Sequence, residues 1–153
     1  MQLSQVKPLN ECELAAWRGF LRAHASLLRR LDAELEAAHG MPLTHYEVLL
    51  YLHNAPEKRM RMSDLAGSVL LSQSGVTRLV DRLERVGLVE REPCAADRRV
   101  LYAHLTDEGS ARLAEARPTH LAGVRAGFLD HFSEDELAQL ADAWERLEPG
   151  VTV

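Results

Sequence analysis

Residues 72–91 read SQSGVTRLVDRLERVGLVER, and residues 97–99 follow as DRR. Apolar side chains recur every three or four positions in this run, which is the spacing of one buried helix face. The predicted buried residues are Val76, Leu79, Val80, Leu83 and Val86. Ser72 or Ser74 can cap the start of the helix, and Gly87 favours the left-handed conformation that ends one. The run therefore predicts an amphipathic helix over about 73–86.

Two strands are predicted after this helix, at 88–92 and 100–105. The seven residues that separate them, Pro93 to Arg99, are too many for a tight hairpin turn, so we expect a protruding loop. A helix that fits the DNA major groove, followed by a hairpin that reaches the adjacent minor groove, is the pattern of a winged helix-turn-helix. We therefore predict a recognition helix at about 73–86 and a wing at about 93–99.

Polar and basic side chains on the first turns of this helix and on the wing are the candidate DNA contacts. They are Ser72, Gln73, Ser74, Thr77, Arg78, Arg82, Asp97, Arg98 and Arg99. Arg78 is the strongest candidate base reader because a guanidinium can bond guanine O6 and N7 together, whereas Gln73 suits adenine. Arg98 or Arg99 can enter a narrow minor groove, and Asp97 can hold an arginine in place by a salt bridge.

The same residues have structural alternatives. The two serines can serve only as helix caps, and the wing can be a solvated charged turn. Arg78 can pair with Asp81, and Arg82 can pair with Glu84, instead of contacting DNA. Three more basic residues, Lys58, Arg59 and Arg61, suit either the DNA backbone or a plain solvated face.

Residues that can cap helix starts recur along the rest of the chain. They are Asn10 with Glu13, Thr44, Ser63, Thr106, and Ser133 with Glu136. These caps predict a long first helix over 11–39, two short helices with a strand at 59–62 between them, and two helices after the wing. Pro118 is expected to kink the fifth helix, or to end it near Arg117 and let it restart.

The outer helices carry apolar faces that the small central module cannot cover. In the first helix a seam repeats every seven residues, at Leu14, Leu21, Leu28 and Leu35 with Trp17, His24 and Leu31. The last helix is predicted to bury Leu137, Leu140, Ala141, Trp144 and Leu147. Residues 1–40 and 107–153 are therefore predicted to form a helical dimerisation region around a DNA-binding domain at 41–106. The alternative is that these helices pack on their own domain.

Composition is consistent with one domain that is mainly α with a small β-wing, since the 153 residues are 46% hydrophobic and 5% aromatic. The net charge is −5, but residues 57–105 carry nine basic and seven acidic side chains, a local +2 beside −7 in the remainder. A local positive surface suffices for DNA because phosphate attraction is screened over about 10 Å. The absence of a membrane-spanning run or secretory stretch, together with only two cysteines, predicts a reduced cytoplasmic protein.

The run from Leu65 to Thr106 resembles the MarR family of winged helix-turn-helix transcriptional regulators. The matching segments are LA at 65–66, SGVTRLVDRLE at 74–84, GLVER at 87–91, DRR at 97–99 and LTDEG at 105–109. The resemblance implies a homodimer on a palindromic operator in double-stranded DNA, and repression relieved by a small ligand or by oxidation. It favours Arg99, two residues after Asp97, as the inserting arginine. It also implies a pocket for a small aromatic effector, with Trp17, His24, Tyr46 and Tyr51 as candidate lining residues and ordinary core as the alternative for each.

Other functions stand as alternatives. Cys12 at the start of the first helix, or Cys94 on the wing, would suit a redox-responsive regulator. A metal-responsive regulator is a further alternative, although the histidines form no compact ligand motif in the sequence. A winged-helix protein-interaction module would lack the arginines on the wing. No nucleophile elbow, P-loop or dinucleotide-binding pattern occurs, so neither enzyme activity nor a cofactor or metal site is predicted.

Overall fold

The computed structural model describes residues 7–69 and 71–150. Within them, helices and strands follow each other in the predicted order, which confirms a mainly α fold with a small β-wing. The elements are α1 (Glu11–His39), α2 (Leu43–Asn54), β1 (Arg59–Arg61), α3 (Met62–Ser68), α4 (Gln73–Arg85), β2 (Val89–Pro93), β3 (Leu101–Leu105), α5 (Asp107–Gly127) and α6 (Glu134–Leu147). No helix in these ranges has both the length and the apolar character that a bilayer crossing requires.

Local capping signals explain most of the helix starts. Asn10 and Glu13 form a reciprocal capping box, in which each backbone amide donates to the other's side chain at 2.8 Å. The hydroxyls of Ser72 and Thr106 accept hydrogen bonds from the third amides of α4 and α5, and Ser133 caps α6 in the same way. Each side-chain oxygen satisfies an amide that the helix leaves unpaired, so these predicted starts are confirmed.

Two predicted caps are wrong because other contacts start those helices. α2 begins at Leu43, before Thr44, and the Leu43 amide donates to the carboxylate of Asp32 on α1 at 2.8 Å. α3 begins at Met62 directly after strand β1 and has no side-chain cap, so Ser63 lies inside the helix. A partner from another element, or a strand that leads straight into a helix, leaves no local sequence signal.

The recognition helix is held by a core that it shares with the wing and the outer helices. Val76, Leu79, Val80 and Leu83 of α4 are buried, as the periodicity predicts. Val86, the fifth predicted member of the stripe, is 63% exposed, so that prediction is wrong. The helix ends at Arg85, and Gly87 turns the chain away at a φ of 76°. The same core contains Leu31 and Leu35 of α1, five residues of α2, and Leu113 and Ala116 of α5.

The three strands form an antiparallel sheet in the order β1-β3-β2, and the loop between β2 and β3 is the wing. In the β2–β3 hairpin Val89 faces Leu105 and Pro93 faces Leu101, so the strand bounds lie within one residue of the prediction. The loop beyond them is closed by two backbone bonds of 2.9 Å, from Cys94 to Val100 and from Val100 to Asp97. The loop therefore projects as one compact turn with Asp97, Arg98 and Arg99 in it.

Helix α5 continues through Pro118 for 21 residues, so the alternative in which it ends near Arg117 and restarts is wrong. Proline removes one backbone donor and strains the preceding turn. Residues on both sides of Pro118 are nevertheless held against the core, with Leu113 and Ala116 before it and Gly123 after it all buried. Packing along the whole helix outweighs the loss of one hydrogen bond, which is worth about 1 kcal/mol.

The outer helices leave much of their apolar surface uncovered within one chain. Of the seam along α1, only Leu31 and Leu35 are buried. α6 has no buried residue in the described chain, so its predicted buried stripe is wrong for a single protomer. Eight of the twelve large exposed hydrophobic residues lie on or beside these helices: Leu9, Trp17, Phe20, Leu21, Leu28, Leu121, Phe132 and Leu147. An apolar surface of this extent on outer helices is typical of a protein-protein interface.

Gly109→Ala is expected to lower the free energy of unfolding by about 2 kcal/mol, because a Cβ at this position overpacks the joint between the wing and α5. The added carbon would lie 2.1 Å from the carbonyl oxygen of Leu88 and 2.6 Å from Leu105 Cδ1. Urea denaturation followed by circular dichroism would measure the change. The control is Gly67→Ala, where no atom lies within 4 Å and the stability should stay equal or rise. Equal stability of the Gly109 variant and the control would contradict the expected clash.

Candidate nucleic-acid interface

The first turns of α4 present a polar surface. Ser72 accepts a hydrogen bond from the Gly75 amide at 3.1 Å, and its hydroxyl lies 3.2 Å from that of Ser74. The Thr77 hydroxyl donates to the carbonyl of Gln73 at 2.8 Å. All four of these polar side chains are exposed, and the unpaired amides of a helix N-terminus favour phosphate. Ser72 therefore acts as a cap, while Gln73 and Ser74 remain available to a ligand. Thr77 is exposed beside them, but its one donor hydrogen is used in the bond to Gln73.

Arg78 and Arg82 are exposed and form no ion pair within residues 7–69 and 71–150. The alternative pairings Arg78–Asp81 and Arg82–Glu84 are therefore absent. An exposed guanidinium with no internal partner keeps all its donors for an external acceptor such as a base edge or a phosphate. Both side chains project from the helix whose N-terminal turns carry the polar surface.

Arg91, which sequence reasoning did not single out, takes both carboxylates of α4. From strand β2 its guanidinium donates to Asp81 and to Glu84, each at 2.5 Å, and to the Thr77 carbonyl at 3.2 Å. Partial burial disfavours the charged form of Arg91, but the hydrogen bonds to the two carboxylates outweigh it and raise its pKa. The signal that could have found this contact is the presence of two carboxylates on a helix predicted to approach DNA, because carboxylates without a cationic partner repel phosphates.

In the wing, Asp97 and Arg99 are joined by hydrogen bonds. Asp97 accepts from the Arg99 amide at 3.0 Å and from its Nε at 3.2 Å. These hydrogen bonds lower the pKa of Asp97, so the carboxylate keeps its charge. The Arg99 side chain is 91% exposed despite this brace, and Arg98 is exposed as well. The arrangement matches the prediction that Asp97 holds an arginine in shape at the tip of the wing.

Recognition helix and wing enclose one hollow of about 340 Å³. Its polar lining comes from Arg61, Ser63, Gln73, Thr77, Arg91 and Arg99. The hollow thus brings together two predicted contacts of the helix and one of the wing. Arg61, which donates from Nε to the Tyr102 hydroxyl at 3.4 Å, joins them from β1. Three guanidiniums and three neutral polar side chains around one hollow suit a phosphodiester backbone.

The candidate effector residues do not line one cavity. Tyr46 is buried in the core and stacks on His120, with ring centroids 4.3 Å apart. Tyr51 faces a different hollow, beside β1 and Tyr102. Trp17 is exposed on α1 and contacts the ring of Phe20. Of the four, only His24 lines the apolar hollow between α1 and α6, so the fold separates these residues.

A larger hollow of about 570 Å³ lies between α1, the end of α5 and α6. Its lining is mostly apolar and includes Phe20, Leu27, Phe128, Phe132 and Trp144. The rings of Phe20 and Trp144, 5.7 Å apart, form the main aromatic contact between α1 and α6. The polar side chains in its lining are those of His24, Ser26 and Arg30. Sequence reasoning placed Trp144 in a buried stripe instead of in this hollow.

The residues relevant to a metal or redox response lie in different places. Glu90, Glu92 and His104 bring ligand atoms within 4.8 Å of one another on the outer face of the hairpin, a cluster that the sequence did not reveal. His104 Nδ1 lies 3.1 Å from Glu90, and Glu92 also pairs with Arg59, so these groups satisfy one another.

Cys12 is exposed on α1. In the wing loop, hydrogen bonds from the backbone amides of Asp97 and Ala96 lower the pKa of the Cys94 thiol.

Comparison of the sequence with known proteins identifies relatives along most of the chain. A family model described as MarR family matches residues 39–100. The chain is 33% identical over 141 residues to the uncharacterized HTH-type transcriptional regulator YkoM of Bacillus subtilis. This match covers 92% of this chain and 88% of YkoM. It is 30% identical over 115 residues to the HTH-type transcriptional repressor YetL of the same organism, with 72% of this chain and 68% of YetL covered.

Comparison with solved structures agrees with the sequence matches. AbsC, a MarR family transcriptional regulator from Streptomyces coelicolor, superposes with a TM-score of 0.87 at 34% identity, covering 93% of this chain and 95% of AbsC. Sco3205, a MarR family regulator from the same organism solved in complex with DNA, also gives a TM-score of 0.87, at 32% identity over 96% of this chain and 94% of its own. Fold, motif positions and sequence identity together show that the chain belongs to the MarR family of winged helix-turn-helix transcriptional regulators.

Proposed function

We propose that the protein binds a palindromic operator as a homodimer and represses transcription from it. The observation that carries this proposal is the single hollow between α4 and the wing, which gathers Gln73, Thr77, Arg91 and Arg99. A helix N-terminus on one side of such a hollow suits the major groove, and an exposed arginine on the other suits the minor groove. The DNA backbone between the two grooves would then pass over the hollow.

Base recognition is assigned to the exposed residues of α4. Arg78 has no internal ion pair in the described chain and can form the bidentate contact with guanine, and Gln73 is placed to read adenine. Ser74 offers its hydroxyl to a backbone phosphate, and Thr77 can do so when its hydroxyl turns away from the Gln73 carbonyl. Arg82 lies one turn beyond Arg78 and adds a further cation. These contacts set the position and the sequence preference of each half of the dimer.

Dimerisation is inferred from the apolar surface of the outer helices. One module presents only one α4, and the local charge of +2 is small for a protein whose net charge is −5. Pairing two chains through α1 and α6 would bury the exposed hydrophobic side chains and double the number of phosphate contacts. A two-fold axis between the chains would place the two recognition helices about 34 Å apart on the same side of the duplex.

The names of two relatives support a repressor that binds DNA. YetL is named a transcriptional repressor, and Sco3205 was solved with DNA. Repression follows physically when a dimer occupies DNA that the transcription machinery needs. An effector or an oxidant that changes the spacing of the two modules would release the operator, because both helices must match successive grooves.

Selection of bound duplexes from a random library, followed by sequencing, tests the proposed function. The expected result is a two-fold symmetric motif whose half-sites lie about 10 base pairs apart, centre to centre. Insertion of five base pairs between the half-sites should abolish tight binding because it turns one half-site to the opposite side of the duplex. Enrichment of no motif, with equal binding to random and selected DNA, would overturn sequence-specific recognition and favour a protein-interaction module.

A further inference from the structure

We infer that Arg91 is a positioning residue for DNA recognition. It neutralises two carboxylates of the recognition helix and fixes the wing beside that helix, so that the two grooves are read as one unit. The inference rests on the proposed DNA binding and deepens it. It concerns a residue that lies in the second strand of the sheet and was not among the predicted DNA contacts.

The contacts of Arg91 connect two elements that no other ion pair joins within the described chain. Its two terminal nitrogens bind Asp81 and Glu84, and its backbone amide donates to Glu84 at 3.1 Å. The third side-chain bond, to the Thr77 carbonyl, reaches the turn of α4 that carries Thr77 and Arg78. One side chain therefore holds the helix along two turns, from Thr77 to Glu84.

Strand geometry explains why position 91 can do this. Alternate residues of a strand point to opposite faces of the sheet. Val89 and Arg91 share the inner face of β2, where Val89 is buried against the core, whereas Glu90 and Glu92 share the outer face with His104. The Arg91 side chain is only 20% exposed, so it is a fixed connection between β2 and α4 and not a solvated surface charge.

Charge gives Arg91 a second role. Asp81 is 45% exposed and Glu84 is 40% exposed, and both lie on the recognition helix, where unpaired carboxylates would repel DNA phosphates. The positive charge of one guanidinium shared between them reduces their combined charge from −2 to −1. The same guanidinium borders the hollow with Gln73, Thr77 and Arg99. Loss of Arg91 would therefore free the wing and expose negative charge at the same site.

The first test uses the protein without DNA. Arg91→Met keeps the length of the side chain but removes its charge and its hydrogen bonds. Amide hydrogen exchange in β2 and the wing loop, at 89–100, should become about tenfold faster, because about 1.4 kcal/mol less free energy is then needed to open that segment. Arg85→Met removes the same charge from α4 but leaves the contacts of Arg91 in place, and it serves as the matched control. Unchanged exchange in the Arg91 variant would overturn the positional role, whatever the protein does to DNA.

The second test measures coupling on the selected operator. Arg99→Ala should weaken binding by about tenfold in the native background but by less than about threefold in the Arg91→Met background. Without Arg91 the wing is no longer fixed beside α4, so Arg99 is no longer held in position to contact DNA. Addition of Asp81→Asn and Glu84→Gln to Arg91→Met should recover part of the affinity, since the unpaired carboxylates are gone, without restoring the effect of Arg99. Equal effects of Arg99→Ala in both backgrounds would overturn the coupling. Failure of the native protein to bind any selected operator would instead overturn the proposed function, and the exchange measurement would still decide whether Arg91 fixes the wing.

Discussion

The combined variant Leu21→Glu with Leu147→Glu is expected to be a monomer of 17.1 kDa that binds the operator about a thousandfold more weakly than the native protein. Leu21 on α1 is 44% exposed and Leu147 on α6 is 69% exposed in a single chain. A carboxylate at either position therefore meets solvent in the monomer. In the proposed dimer the same carboxylate would have to be buried against an apolar partner, which costs several kcal/mol.

The size of the effect follows from the way in which two modules share one operator. When the modules are joined, binding of the second half-site is intramolecular, and its effective concentration is of millimolar order. A monomer loses that gain and retains only one α4 and one wing. Its few phosphate contacts, around a segment with a charge of +2, give weak and strongly salt-dependent binding.

Light scattering after size-exclusion chromatography measures the mass, and fluorescence anisotropy with a labelled operator measures the affinity. The matched control is Ala33→Glu with Gln139→Glu, which adds two negative charges to α1 and α6 at exposed positions outside the apolar seam and stripe. This control should remain dimeric and bind the operator. Circular dichroism should show the same helix content in all three proteins. A Leu21 and Leu147 variant that stays dimeric, or a monomer with native affinity, would refute the proposed pairing.

Elements whose cause is local in sequence were predictable. Ser72 begins α4 and Gly87 turns the chain after it because the capping hydroxyl and the left-handed glycine act within a few residues. Thr106 begins α5 for the same reason. The order of helix, wing and helix follows from such signals, and so does the exposure of Gln73 on α4. In the wing, Asp97 and Arg99 are two residues apart, and their contact was predictable for that reason.

Contacts between distant residues were not predictable from one sequence. The cap of α2 comes from Asp32, which lies on another helix and is the reason why Thr44 is not the cap. Asp81 has Arg78 as a neighbour within one turn of helix, yet its partner is Arg91, ten residues away on a strand. For Tyr46 the sequence left both a pocket and the ordinary core open, and the residue is in the core, stacked on His120 where α2 packs on α5. The predicted burial of α6 fails in the protomer because the surface proposed to cover it belongs to a second chain.

Loss of Arg78 and loss of Arg99 are expected to have different signatures on DNA. Arg78→Ala should cost about 1–3 kcal/mol of discrimination at one base pair of each half-site, because it removes a bidentate contact in the major groove. Binding to unrelated DNA should change little, since Arg78 is assigned to a base edge and not to the backbone. The expected result is a relaxed motif at that base pair and an unchanged preference elsewhere.

Arg99→Ala should instead weaken binding to every sequence and reduce the slope of log affinity against log salt by about 1 per wing. The Asp97 brace points an almost fully exposed guanidinium away from the protein, which suits a narrow minor groove with its strong negative potential. Exchange of A·T for G·C pairs beneath the wing should weaken the native protein but leave the Arg99 variant nearly unaffected.

A salt titration of both variants, on the selected operator and on unrelated DNA, separates the two roles. Arg125→Ala on α5 is the matched control because it removes an exposed arginine that is remote from the hollow. If Arg78 reads a base, Arg78→Ala lowers the ratio of specific to non-specific affinity. Arg99→Ala instead lowers both affinities together. The two assignments fail if neither variant differs from the Arg125 control. They are exchanged, with the wing as the reader of the α4 half-site, if Arg99→Ala relaxes the motif at the base pair assigned to Arg78 and Arg78→Ala changes only the salt slope.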